Sequence, residues 1–142
     1  MAGKQPKRVP RPGVDEYGRT PLHYAAAEGD AARVQDLLRA GANPNAQDDN
    51  SWSPLHFAAQ AVSTAAVAAL IEAGADVDAL DRFGNTPLFR AVFCSKDEGG
   101  VIQLLRASGA DPRLSNIRGV SPLNLARTIA NFDLAQFFAD LA

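Results

Sequence analysis

Apolar positions along this 142-residue chain fall into short helical runs divided by polar breaks, and the runs come in pairs. The first member of each pair opens on a hydroxyl residue and proline: Thr20-Pro21-Leu22-His23-Tyr24-Ala25-Ala26, Ser53-Pro54-Leu55-His56-Phe57-Ala58-Ala59, Thr86-Pro87-Leu88-Phe89-Arg90-Ala91-Val92 and Ser121-Pro122-Leu123-Asn124-Leu125-Ala126-Arg127. A hydroxyl caps orphan amides, and proline fits the first helical position because its missing N–H had no partner there anyway. Each start therefore predicts a short helix. The second member carries branched apolar residues at helical spacing, as in Val34, Leu37 and Leu38 or Val101, Leu104 and Leu105. Gly41, Gly74 and Gly109 then end it, since a left-handed residue past the last turn costs glycine least.

The starts lie 33, 33 and 35 residues apart, and a second marker keeps step: Gly41-Ala42-Asn43, Gly74-Ala75-Asp76 and Gly109-Ala110-Asp111 are spaced by 33 and 35. Both markers slip in the same unit, so two residues are inserted between them, in Lys96-Asp97-Glu98-Gly99-Gly100. A helix-turn-helix unit of about 33 residues carrying Thr-Pro-Leu-His-x-Ala resembles the ankyrin repeat. The resemblance implies an all-α solenoid of four stacked units with β-hairpin finger loops, and it covers Asp15 to Ala142. The repeats are bounded at about 15–47, 48–80, 81–114 and 116–142, after a disordered basic tail over 1–14. One unit cannot bury its apolar face alone, and three or more must stack before a continuous core exists.

Taken in order, residues 1–13 hold three prolines and Lys4, Lys7, Arg8 and Arg11, with too little apolar content to offset the entropy of ordering. Asp15-Glu16-Tyr17-Gly18-Arg19 reads as a finger tip turned by Gly18. In repeat 2 the finger glycine is replaced by Ser51 beside Asn50, so one of these must take the turn conformation or the finger must be reshaped, and Val62 stands where repeat 1 has Gly29. The helix from Thr64 to Ala73 is nearly all alanine and branched apolar residues, with a small, neutral outer face. The insertion in repeat 3 reads as surface variation. In repeat 4 a second helix is expected, with Leu134, Phe137, Phe138 and Leu141 facing inward and no further finger, as a C-terminal cap.

Charge divides the chain into unlike parts. Net charge is +4 over residues 1–13, −8 over 15–81 and +2 over 82–142, for a total of −2. A partner covering the whole solenoid has the opposite polarity, with a basic surface facing repeats 1 and 2. No run approaches the roughly 18 apolar residues of a membrane span, and no secretory leader is evident, so no membrane partner and a cytoplasmic location are expected. A single cysteine, Cys94, rules out an internal disulfide.

Catalysis needs convergent titratable groups or metal ligands. His23 and His56 occupy one equivalent position in successive repeats, which the resemblance implies is a structural hydrogen-bonding role, and with one distant cysteine they make no zinc site. The pairs Asp15/Glu16 and Asp48/Asp49 begin finger tips, where short acceptors satisfy turn amides, and neither these nor Asp97/Glu98 has calcium-loop spacing. No glycine loop cradles phosphate. The reading is a non-enzyme without cofactors, a protein-binding module that uses its finger and concave face to inhibit or mask a partner. The resemblance is to the small free-standing ankyrin proteins of bacteria. Two alternatives stay open: an immunity protein neutralising a bacterial toxin, and a nucleic-acid-associated adaptor working through the basic tail. Four tail charges without interleaved aromatics make nucleic acid the weaker alternative.

The resemblance places binding at the finger tips and the ends of the first helices. The positions the fold leaves free there give the expected site: Glu16, Tyr17 and Arg19; Asp49, Asn50 and Trp52; Arg82, Phe83 and Asn85; Arg118; and Phe93 at the end of its helix. Aromatics beside arginine are the usual make-up of an interface hot spot. The competing reading is that finger aromatics pack on adjacent fingers and stiffen the row.

Overall fold

A computed structural model describes residues 11–96, 98–129 and 133–141. Most of the expected basic tail lies outside these residues, as do Asp97 of the insertion and the terminal Ala142. Among the described residues seven α-helices follow the two-part pattern: α1 Pro21–Ala27, α2 Ala31–Arg39, α3 Pro54–Gln60, α4 Thr64–Glu72, α5 Pro87–Cys94, α6 Gly100–Ala107 and α7 Pro122–Thr128. A 3-10 helix, Leu134–Phe138, takes the place of the second helix expected in repeat 4. Its start at Asp133 supplies no side-chain hydrogen bond, whereas Asp30 and Ser63 cap α2 and α4.

Capping chemistry sets where the first helices begin. Thr20, Ser53, Thr86 and Ser121 each accept the amide three residues on, with proline at the next position. In repeats 1, 2 and 4 the bond is returned, because the third helical residue is His23, His56 or Asn124 and its side chain accepts the cap residue's N–H. Phe89 cannot do this, so α5 has only the hydroxyl half of the box.

The helices stack in two layers. α1, α3, α5 and α7 pack in sequence in one, and α2, α4 and α6 in the other. Leu22, Leu55, Leu88 and Leu123 repeat one buried position, and Ala25, Ala58 and Ala91 let the first helices approach closely. Val34, Val67, Val101, Leu70 and Leu105 close the core from the second layer. Emptying one such leucine to alanine costs about 2–5 kcal/mol.

Between the layers' ends stand the fingers. Among the described residues they form turns and no strand, so the hairpin strands implied by the resemblance are not seen. Each tip is closed by a first-position acceptor: Asp15 Oδ1 takes the amides of Tyr17 and Arg19, Asp48 Oδ1 those of Asn50 and Trp52, Asp81 Oδ1 those of Phe83 and Asn85, and Asn116 Oδ1 those of Arg118 and Val120, all at 2.8–3.1 Å. Ser51 takes the turn conformation at φ 61° where the siblings have glycine. Consecutive tips are joined by backbone bonds, Asp49 N–H to Tyr17 O (2.9 Å), Arg82 N–H to Asn50 O (3.0 Å) and Ile117 N–H to Phe83 O (3.0 Å).

The insertion has a partner. Gly99 is buried, and a Cβ there would come within 2.1 Å of the Phe137 ring, so the added loop makes a bare backbone seat for the last segment rather than surface variation. Arg106 fastens the same segment with paired bonds to Asp140 (2.7 and 2.8 Å) and one to the Phe137 carbonyl (2.8 Å), its guanidinium stacked on Phe138.

Candidate functional site

Building outward from the first helices, the fifth residue of each start projects from the same side: Tyr24, Phe57, Arg90 and Leu125. These meet the residues that end the fingers. The Arg19 guanidinium lies over the rings of Tyr17 (5.1 Å), Phe57 (5.2 Å) and Tyr24 (5.9 Å). Phe57 touches Trp52 with centroids 4.8 Å apart, and Arg90 is held between Trp52 (4.9 Å) and Phe93 (5.3 Å). A continuous run of stacked cations and rings therefore crosses repeats 1 to 3. Stacking of this kind contributes roughly 0.5–2 kcal/mol per contact.

Hydrogen bonds fix the cations in place. Arg19 Nε donates to the buried Asp48 (3.3 Å), and Arg90 donates to Gln60 Oε1 (2.7 Å). The Tyr24 hydroxyl donates to Asp15, and this bond, with the Arg19 and Tyr17 amides, holds the Asp15 carboxyl below the usual carboxylate range; Asp15 in turn raises the Tyr24 phenol.

Below the run sit the histidines. His23 Nδ1 accepts the Thr20 amide and Nε2 donates to the Trp52 carbonyl of the next repeat (3.0 Å); His56 Nδ1 accepts from Ser53 and Nε2 donates to the Asn85 carbonyl (2.8 Å). Both imidazoles are fully buried, and burial holds both below the ordinary histidine value, which keeps them neutral. They join repeats and are sealed from any substrate. Burial pushes the Cys94 thiol up, so it is not a thiolate nucleophile. Among the described residues no three of His, Cys, Asp and Glu converge to hold a metal. Two surface hollows, of about 500 and 370 Å³, lie at opposite ends of the stack, beside Gln103 and Phe137 and beside Leu22 and Leu37; neither is lined by an acid, a histidine or a cysteine.

Tyr17 (53% exposed), Phe83 (50%) and Phe93 (62%) present open ring faces, and Glu16, Asp49, Asn50, Arg82 and Arg118 are exposed on the tips. Trp52 differs from the expectation of a large side chain that the fold does not need: it is half-buried, packed on His56, Phe57 and Arg90. Asn85 is also spent on the fold, its carbonyl taken by His56 and its Oδ1 by Asn116 Nδ2 (2.9 Å). Asn50 ties fingers, accepting from Arg82 (3.3 Å). Tyr24, Phe57 and Arg90 belong to the face but were not among the residues the sequence singled out; their shared place in the Thr-Pro-Leu-His-x-Ala pattern was the signal. Arg11, at the end of the expected tail, reaches finger 2 with two bonds of 3.0 Å to Asp49.

Comparison with known proteins bears on the whole arrangement. A model of ankyrin repeats (3 copies) matches residues 22–116. The chain belongs to the ankyrin-repeat family. Its repeats are similar to a part of the human transient receptor potential cation channel subfamily A member 1, 36% identical over 114 residues. That match takes in 80% of this chain and 10% of the channel, so the chain spans about a tenth of that relative's length. Ankyrin repeats as a family are non-catalytic modules of protein–protein interaction, and no helix among the described residues is long and apolar enough to cross a membrane.

Proposed function

We propose that this ankyrin domain binds a partner protein along its finger tips and the exposed side of its first helices, and acts by masking the segment it holds. The observation that carries this reading is the row of open aromatic faces, Tyr17, Phe83 and Phe93, each with an arginine over its ring, two of them at the ends of a run of stacked cations and rings that hydrogen bonds hold in place. Aromatic and arginine side chains dominate hot spots because they bury much area with little ordering cost, and rigid neighbours lower that cost further. The partner presents basic groups to repeats 1 and 2. Arg11 supports this from within the chain, since a guanidinium is what Asp49 holds there. A cytoplasmic setting is part of the same proposal.

Differential capture tests it. Wild type, Tyr17→Ala, Phe93→Ala and a control on the other layer, Ala65→Glu, are used as baits in host lysate, with melting curves recorded for all four. Proteins held by wild type and the control but lost from both aromatic variants are the predicted outcome, with affinity for the captured partner weakened at least tenfold, about 1.4 kcal/mol or more. If retention falls only with Ala65→Glu, the binding face is the second layer and the proposal fails.

A further inference from the structure

The arginines of the binding face fall into two groups. Beside repeats 1 and 2 each is matched to a carboxylate: Arg19 to Asp48, and Arg11, which precedes repeat 1, to Asp49. In repeats 3 and 4 the counterparts are not. Arg82 rests on the Phe83 ring (5.3 Å) and donates only to the neutral Asn50, and Arg90 donates only to the neutral Gln60. Arg118 stands exposed on the last tip with its backbone amide alone engaged. Among the described residues none of the three forms an ion pair. The contrast is not a matter of supply, since Arg106 and Arg39 elsewhere find Asp140 and Asp36.

Sign also changes along the tips. The second residue of each finger runs Glu16, Asp49, Arg82, Ile117, and the third runs Tyr17, Asn50, Phe83, Arg118, so acids stand on the first two fingers and bases on the last two. The backbone bonds between tips hold these residues side by side in that order. Arg90 adds a guanidinium that lies over both Trp52 and Phe93 and is held by Gln60, and its planar fork suits a carboxylate more than a mobile lysine would.

Resting on the function proposed above, with the finger tips and the exposed side of the first helices as the groove that holds the partner, we propose that repeats 3 and 4 are the acid-reading half of the site: the partner segment carries Asp or Glu side chains that pair with Arg82, Arg90 and Arg118, beside apolar side chains that cover Phe83 and Phe93. A peptide fits this face and a nucleic acid does not. A uniform polyanion running along the row leaves these arginines within one repeat and meets Glu16 and Asp49, whereas a peptide changes charge along its length. Four repeats stacked about 10 Å apart span roughly 30 Å, which an extended peptide of about 10 residues covers at 3.3–3.6 Å each.

A phage-displayed library of random peptides of about 12 residues, a length that covers the row, is panned on the whole chain at low salt. Selected peptides are then titrated by fluorescence anisotropy against wild type, Arg82→Glu/Arg118→Glu and Phe93→Ala. The tip arginines are exposed, so the double variant keeps its fold, and its melting curve checks this. The proposal predicts enrichment of Asp and Glu and at least tenfold weaker binding by the double variant. That loss shrinks as salt rises from roughly 0.05 to 0.5 M, because exposed pairs are screened. Arg90→Lys retains charge but loses the planar fork, and weakens the same peptides several-fold. Peptides that depend on Phe93 but lack acids, or that bind the double variant unchanged, overturn the acid-reading proposal and leave the groove standing. Peptides indifferent to Phe93 as well remove the groove. A single-stranded oligonucleotide that binds as tightly as the peptides at equal salt also overturns the proposal.

Discussion

Replacing His56 by asparagine isolates the bond that joins repeats 2 and 3. Repeat 4 already holds asparagine at this position, and there Asn124 Oδ1 accepts the Ser121 amide (3.3 Å) and hydroxyl (2.7 Å). His56→Asn therefore keeps the capping bond within α3 and loses the 2.8 Å bond from Nε2 to the Asn85 carbonyl, along with part of the ring's volume. An acceptor left without its donor costs about 1–3 kcal/mol. His56→Ala forfeits the capping bond too and opens a larger cavity, which brings the cost to about 2–4 kcal/mol. The same site sets a pH signature. Burial lowers the folded-state value of His23 and His56, so the unfolded chain takes up protons first as pH falls. Their contribution to stability is complete above the unfolded value of about 6.5 and is lost as pH falls from there through the folded value, at up to about 1.4 kcal/mol per pH unit for each histidine. The lowered carboxylates, Asp15 and Asp140, act with the same sign but only nearer pH 4 and below, where an unfolded aspartate titrates. Urea unfolding followed by circular dichroism from pH 8 to pH 5 measures both effects. Wild type loses stability below pH 6.5, and His56→Asn shows a shallower slope. Equal slopes for the two, or stability that rises on acidification, would refute the assignment of neutral, doubly bonded histidines.

Further expectations concern local sites. Ser51→Gly removes a left-handed side-chain penalty at φ 61° and raises stability by about 1 kcal/mol, seen as an upward shift in melting temperature; no rise would mean that the serine is not strained there. Gly99→Ala crowds the Phe137 ring and destabilises by about 1–3 kcal/mol, and in a double-mutant cycle Phe137→Ala abolishes most of that loss; additive effects would separate the two residues. Trp52→Ala lowers stability by about 1–3 kcal/mol because the ring is half-buried between Phe57 and Arg90, so an unchanged melting curve would contradict the stacking described. Arg106→Ala speeds amide hydrogen exchange over residues 134–141 while the repeat cores stay protected, and uniform acceleration through all repeats would show a global rather than local role.

Much of the fold was legible because its signals are local. Caps and prolines at residues 20–21, 53–54, 86–87 and 121–122 mark helix starts directly, and a first-position Asp or Asn with a left-handed residue marks each finger tip. The site was only half legible. Trp52 and Tyr17 both stand on fingers, yet Trp52, at the fifth finger position, is packed on Phe57 of α3 and Arg90 of α5 while Tyr17, at the third, is open, and the meeting with Arg90, 38 residues away, is not written near Trp52 in the chain. Arg11 with Asp49 and Gly99 with Phe137 are meetings of residues far apart in sequence, which no periodic pattern announces. The run after α7 has the apolar spacing of a helix but not its cap, and it forms a single 3-10 segment instead.

Function turns on which surface a partner covers. Hydroxyl-radical footprinting with mass spectrometry, done on the free chain and on its complex with the captured partner, reads this directly because aromatic side chains are among the most readily oxidised. Tyr17, Phe83 and Phe93, open in the free chain, become protected in the complex, while the exposed residues of α4 and α6 keep their free reactivity. Protection confined to α4 and α6, with the three rings as reactive as before, would contradict the account.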